Sequence, residues 1–266
     1  MAKRLRPISH EEELSVVEHL DELRTRLLTV GGVFIVVLGL AFWQNQRILD
    51  VINRPLPDGT VPATFGVGEA FMSTLTVSMY AALIVTLPLI LWNLYAFVIP
   101  AFSERERKVA TPLLLMTPVL FFAGVVFAYY VVIPAAVKFL LGFNDEQFNI
   151  LVRAKDYYSF FGMSAMSMGL LFEMPLAILI ATRIGVITPI QLRQNRRYAL
   201  LVIAVVAMLL PGTDPVTMLI SMIPLLALFE ASIWLAVWFG ESPDESAGEE
   251  SLPESPQTGD SGAPIR

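Results

Sequence analysis

Six apolar stretches constrain this chain more than any other feature in it. They cover residues 27–43, 71–99, 111–134, 158–182, 198–210 and 216–239. A helix rises about 1.5 Å per residue, so about 20 apolar residues cross the ~30 Å hydrocarbon core of a bilayer. The first stretch ends in Trp43, a residue that favours the membrane interface. Pro88 interrupts the second and Pro100 closes it. The fifth, Tyr198 to Leu210, is apolar for only 13 residues before Pro211, so it reaches only about 20 Å. It is either half of a re-entrant hairpin or one of two short spans joined by a tight turn at Gly212–Asp214, with the bilayer thinned around them. Six spans are preferred, and the expected fold class is an all-α integral membrane protein whose last two helices are short.

Composition supports lipid as the solvent. Apolar residues make up 55% of the chain and charged residues 16%, against about 45–50% and about 25% in soluble domains. The net charge of −6 is local: residues 241–266 hold seven acids against Arg266 alone, which leaves residues 1–240 neutral. That tail is rich in Ser, Pro and Gly and cannot bury enough apolar surface to fold. The expected organisation is a cytoplasmic amino-terminal segment (1–26), a transmembrane domain (27–240) and an acidic disordered tail (241–266). The first apolar run follows a long charged segment and has no small-residue cleavage site, so it is expected to remain in the mature protein.

With the amino terminus inside and six spans, thirteen Lys and Arg residues face inward, among them Arg24, Arg26, Arg105, Arg107, Lys108, Arg193, Arg196 and Arg197. Five face outward: Arg47, Arg54, Lys138, Arg153 and Lys155. This asymmetry obeys the positive-inside rule. It is equally compatible with a re-entrant final hairpin, which leaves Arg193–Arg197 and the tail on the same side.

The chain has no cysteine, and its two histidines, His10 and His19, both lie in the amino-terminal segment. Disulfides, thiolate chemistry and a histidine metal cluster are therefore not expected. No Gly-rich phosphate loop and no Ser–His–Asp set occurs, and no cofactor is expected. The methionines within 163–174 read as helix packing.

Four polar features stand out. In HLDELRTRL, residues 19–27, Glu22 and Arg26 are i,i+4 partners just before the first span. The loop SERERK, residues 103–108, carries Glu104 and Glu106, which a purely topogenic loop does not need. With Glu22 they place carboxylates at the inner surface, where the planar fork of an arginine pairs bidentately. Glu173 lies about 22 Å along a helix from Tyr158 and about 15 Å before Arg183, near the middle of the bilayer. A carboxylate there costs at least about 2.5 kcal/mol on insertion scales. It is a functional group or a polar contact that holds helices together, and Pro175 loosens the backbone beside it. Asp214 precedes Pro215 and reads as an N-cap.

Together these segments resemble the TatC family, the multispanning subunit of the twin-arginine protein translocase, over about residues 12–240. The likeness rests on HLDELRTRL, Pro55 in the first outer loop, YAFVIPAFSERERK after the second span, FAYYVVIP at the end of the third, FEMP in the fourth and PGTDP between the last two. The resemblance implies a glove-shaped six-helix bundle in the bacterial plasma membrane, with both ends cytoplasmic. It implies a receptor that works with TatA and TatB to export folded proteins, driven by the proton-motive force and without enzymatic activity. It implies that Glu22 and Glu106, with Arg24 and Phe97 nearby, bind the signal peptide. It also implies that Glu173 serves partner contacts and assembly, and that Pro55, Tyr129 and Asp214 are functionally sensitive. Ser103 to Arg105 depart from the family's common lysine–histidine version of that loop. A rival reading is a secondary transporter with a midplane carboxylate. The absent internal repeat and the charged inner-face cluster favour the receptor; a third reading is an assembly scaffold without ligand specificity.

Overall fold

The structure, a computed structural model, describes residues 10–98, 115–147, 150–183, 187–211 and 214–239. Among these residues the regular structure is all helical, apart from one isolated β-bridge between Ala63 and Arg153. Helix α1 runs His10–Trp43, α2 Asn45–Asn53 and α3 Glu69–Val98. Helix α4, Thr117–Phe127, passes through a π-helical turn, Ala128–Val132, into α5, Ile133–Gly142. Helices α6 (Ala154–Phe172) and α7 (Met174–Arg183) form one broken rod. They are followed by α8 (Pro189–Gln194), α9 (Arg196–Leu209) and α10 (Pro215–Phe239).

Five of these segments are long and apolar enough to cross a membrane: Leu23–Trp43, Glu69–Ala96, Thr117–Gly142, Ala154–Thr182 and Pro215–Val237. The third runs further toward its carboxyl end than the apolar pattern suggests, because α5 continues past Pro134 to Gly142. Residues 44–70, which the density of turn formers (Pro55, Pro57, Gly59, Pro62, Gly66 and Gly68) marks as a loop, also contain α2, which ends before the first of them. Helix α1 has no break at residue 26, so the amino-terminal segment and the first span share one rod from His10 onward. The acidic tail lies outside the described residues.

Helix α3 packs between α1 and α6, α6 also packs on α4, and α10 packs on α7 and α9. Without a hydrophobic drive between helices in lipid, close approach of small residues supplies the packing. At the α4–α6 crossing a Cβ on Gly124 would lie 2.5 Å from the carbonyl oxygen of Met168 and 2.9 Å from Cα of Gly169. Gly162 leaves the same kind of space to the ring of Tyr80, which joins α3 to α6. One apolar core gathers Ile52, Leu56, Val77, Val132, Ile133, Phe161, Met168 and Leu210 around α6; a second joins Ile203 and Ala207 of α9 to Leu225, Phe229 and Ile233 of α10.

The α9–α10 hairpin is short. Helix α9 has 14 residues, about 21 Å. At its tip the Pro211 carbonyl accepts a hydrogen bond from Ser164 Oγ at 3.5 Å. Ser164 lies ten residues into α6, about 15 Å from that helix's start. The tip therefore stops short of the end of the bundle that carries α2, although Leu210 shares a core with Ile52 and Leu56 of that end. A reporter inserted after Gly212 is expected to read the same side of the membrane as one inserted at Gly59, and the opposite side to one near Thr188. Agreement of the Gly212 and Thr188 reporters would make residues 198–239 a re-entrant hairpin and remove a pair of spans.

Candidate functional site

The residues singled out in the sequence fall at three levels of the bundle. At one end, α1 and α3 run antiparallel, and Arg26 Nη1 donates to Asn93 Oδ1 at 3.4 Å. Glu22 lies one turn before Arg26 and Phe97 one turn after Asn93, so the backbone brings these two positions to the same end of neighbouring helices. Arg24 lies two residues after Glu22 on α1 and has an exposed side chain. Glu106 and its loop lie outside the described residues, so only part of the proposed carboxylate patch has a described position.

At mid-depth Glu173 occupies the joint between α6 and α7. Pro175 has no N–H to offer the Leu171 carbonyl, and its ring crowds that carbonyl. The ladder breaks there: Glu173 sits at φ −75°, ψ −7°, its N–H donates to Leu170 at 3.1 Å, and its own carbonyl restarts the helix by accepting from Ala177 at 3.0 Å. The side chain is 4% exposed, and neither carboxylate oxygen has a hydrogen-bond partner among the described residues. Tyr95 of α3 lies within electrostatic range of it. A buried carboxyl group left without a donor is costly, and it is a ready acceptor for a polar group brought by a neighbouring helix.

At the far end, α2 is held by tyrosines. The last carbonyls of a helix have no partner within it. Here the Tyr129 hydroxyl donates to the Val51 carbonyl at 3.0 Å, and the Tyr157 hydroxyl to the Ile52 carbonyl at 2.6 Å. Tyr129 sits in the π turn, and its ring lies edge-on to Phe161 with centroids 6.1 Å apart. Pro55 follows at once, between buried Ile52 and Leu56, and bars any further helical turn. Pro55 and Tyr129 thus belong to one structural unit. Asp214 belongs to another: its Oδ1 accepts from the Thr217 N–H at 2.8 Å and its Oδ2 from the Thr217 hydroxyl, an N-cap for α10 with Pro215 in the first helical position.

The sequence pattern did not single out Tyr157, or the clasp formed by Glu69 and Arg153. Glu69 Oε1 takes Arg153 Nε at 2.7 Å, while its Oε2 accepts from the backbone N–H groups of Phe65 and Gly66. The Ala63 N–H donates to the Val152 carbonyl, and its carbonyl accepts from the Ala154 N–H, both at 2.8 Å. The Glu69 carboxylate raises the Arg153 pKa above its ordinary value, through this hydrogen bond first and its charge second. The signal was an acid opening one span and a base preceding another, but nothing in the sequence paired them.

Tyr157→Phe keeps the ring and removes the donor to Ile52. The buried carbonyl left unpaired is expected to cost about 1–3 kcal/mol. It should appear as a lower unfolding temperature in detergent and faster hydrogen exchange over residues 45–53. Exchange and melting equal to the parent would show that α2 is held by other contacts.

The family model described as Sec-independent protein translocase protein (TatC) matches residues 18–224. The TatC of Magnetococcus marinus is 32% identical over 251 residues, covering 93% of this chain and 91% of that protein. The TatC of Escherichia coli K12 is 32% identical over 237 residues, covering 87% and 92%. A crystal structure of the twin-arginine translocase receptor TatC in the detergent DDM superposes with a TM-score of 0.71 at 32% identity, covering 82% of this chain and 98% of that one.

Proposed function

Because the chain belongs to the TatC family of Sec-independent protein translocase proteins, a family of multi-pass membrane translocase subunits, we propose that it is the subunit that receives twin-arginine signal peptides. With TatA and TatB it moves folded proteins across the bacterial plasma membrane at the expense of the proton-motive force. Both ends of the chain are cytoplasmic, and the peptide binds at the end where α1 meets α3. The observation that supports this reading is the antiparallel pairing of those helices through Arg26 and Asn93, which puts the backbone of positions 22 and 97 at the same end of two neighbouring helices. Glu22 and Glu106 supply the carboxylates, and a carboxylate holds a guanidinium through two parallel hydrogen bonds that an ammonium does not reproduce.

Glu22→Gln and Glu106→Gln each keep size and hydrogen-bonding atoms while removing the charge. Truncating a desolvated charge pair costs about 2–5 kcal/mol, and a wet membrane surface brings that to the lower end or below. Weaker binding of a twin-arginine peptide is expected, together with a smaller preference over its twin-lysine variant. The double variant should be less than additive if both acids serve one site. Parent-like affinity and discrimination in both single variants would remove the patch. A chain that binds neither peptide above background would favour a carrier or a bare scaffold over a receptor.

Glu173 serves assembly rather than peptide recognition. Its buried carboxyl at a helix break, without a donor among the described residues, supports this reading, since a polar group on a neighbouring subunit would satisfy it. Glu173→Ala is expected to leave peptide binding intact while reducing association with TatA or TatB and lowering transport. Normal transport by this variant would reduce Glu173 to a dispensable helix contact.

A further inference from the structure

The short hairpin leaves one face of α5 uncovered. A shallow, open groove of about 460 Å³ is lined by Ala135, Lys138, Phe139 and Gly142 of α5, by Phe143, and by Val216 in the first turn of α10. Residues 135, 138, 139 and 142 form a single i, i+3, i+4, i+7 stripe. The rings of Phe139 and Phe143 lie 5.9 Å apart along it. Among the described residues the wall is apolar except for Lys138, no acid lines it, and Lys138 has no ion-pair partner. Since the hairpin tip meets α6 at Ser164, the last turns of α5 rise beyond the point where α10 begins.

We infer that this groove is a binding site for one anionic phospholipid of the phosphatidylglycerol type, with its phosphate at Lys138 and one acyl chain along the aromatic and alanine wall toward Val216. This rests on the chain being a membrane protein, and not on its reading as a signal-peptide receptor. Lys138 is four residues before Gly142, so about 6 Å from the helix end. A lysine stem lies along apolar surface from such a position while its ammonium reaches the headgroup level. The charge selects an anionic headgroup, and the groove supplies length that only a chain fills. A hairpin shorter than the bilayer leaves a gap beside its tip, and lipid is the apolar material available to fill it.

The test uses the purified full-length protein in detergent, exchanged with phosphatidylglycerol or phosphatidylcholine and read by native mass spectrometry for retained lipid. The parent is expected to retain phosphatidylglycerol about fivefold better than phosphatidylcholine, the factor that one basic residue contributes at an anionic surface. Lys138→Gln should abolish that preference. Ala135→Trp keeps the lysine but fills the groove, and should lower retention of both lipids. A second measurement does not require the filled variant to fold. Phe139→Trp adds an indole to the groove wall, and phosphatidylglycerol with brominated chains should quench the added fluorescence more strongly than brominated phosphatidylcholine does. Equal retention by parent and Lys138→Gln, or equal quenching by the two lipids, would overturn the site.

Discussion

In a bilayer core no water waits to satisfy a backbone group that a helix leaves unpaired. Among the described residues, several helix ends are met by specific polar contacts. Helix α2 ends under the core of the bundle, and its Val51 and Ile52 carbonyls are met by the hydroxyls of Tyr129 and Tyr157. Helix α10 begins at the recessed hairpin tip, and Asp214 takes the Thr217 N–H there. Helix α8 begins with a full capping box, in which Thr188 accepts from the Gln191 N–H and the Gln191 side chain accepts from the Thr188 N–H. Without its partner the buried Ile52 carbonyl or the buried Thr217 N–H is left an orphan, whereas the exposed α8 box lies where water can replace it.

The same constraint explains the spacing of the helices. Once each rod satisfies its own backbone, what remains between rods is contact distance, and contact distance is set by the smallest residues. Gly124 admits the Met168 carbonyl, and Gly162 admits the ring of Tyr80. Helix α6 is therefore gripped on two faces, by α4 and by α3. The tyrosines that hold α2 come from α6 and from the π turn that continues α4. The turn adds one residue to the local repeat and so rotates Tyr129 relative to the helix before it. The tie to α2 thus depends on the α4–α6 crossing below it.

The sequence made the helical class, most span positions and the Asp214 cap legible, because each follows from a local pattern: run length, flanking charge, or an acid before a proline. It did not reveal α2, since its nine residues mix Arg47 and Asp50 with Ile48, Leu49 and Val51, a pattern too short to set apart from loop. Nor did it reveal the π turn, which has no composition of its own in AYYVV. The Glu69–Arg153 clasp was hidden because its partners are 84 residues apart. Pro175 did mark the break at Glu173, although run length alone described a continuous helix. Of the candidate signal-peptide residues, Glu22, Arg24 and Phe97 have backbone positions that follow from helix pairing. Glu106 lies outside the described residues.

The acids within or at the edge of the spans fall into two groups. Glu69 is paired with Arg153, Asp156 sits in the first turn of α6 where the helix dipole favours it, and Glu230 takes Arg196 Nη2 at 2.9 Å. The Arg196–Glu230 pair is exposed on both sides, so screening leaves it little energy. It joins the start of α9 to α10 and accounts for a carboxylate that the apolar run of α10 left unexplained. Glu173 stands apart: it is buried more deeply than these, it lies at a joint rather than an end, and its oxygens have no donor among the described residues. Glu69, Asp156 and Glu230 are each placed where the charge is answered or exposed to solvent. A packing role alone favours an apolar residue at that joint, because an unanswered carboxyl group weakens the bundle it sits in. A group that supplies a donor to this joint would remove that cost, which is the physical ground on which the proposal that Glu173 serves assembly rests.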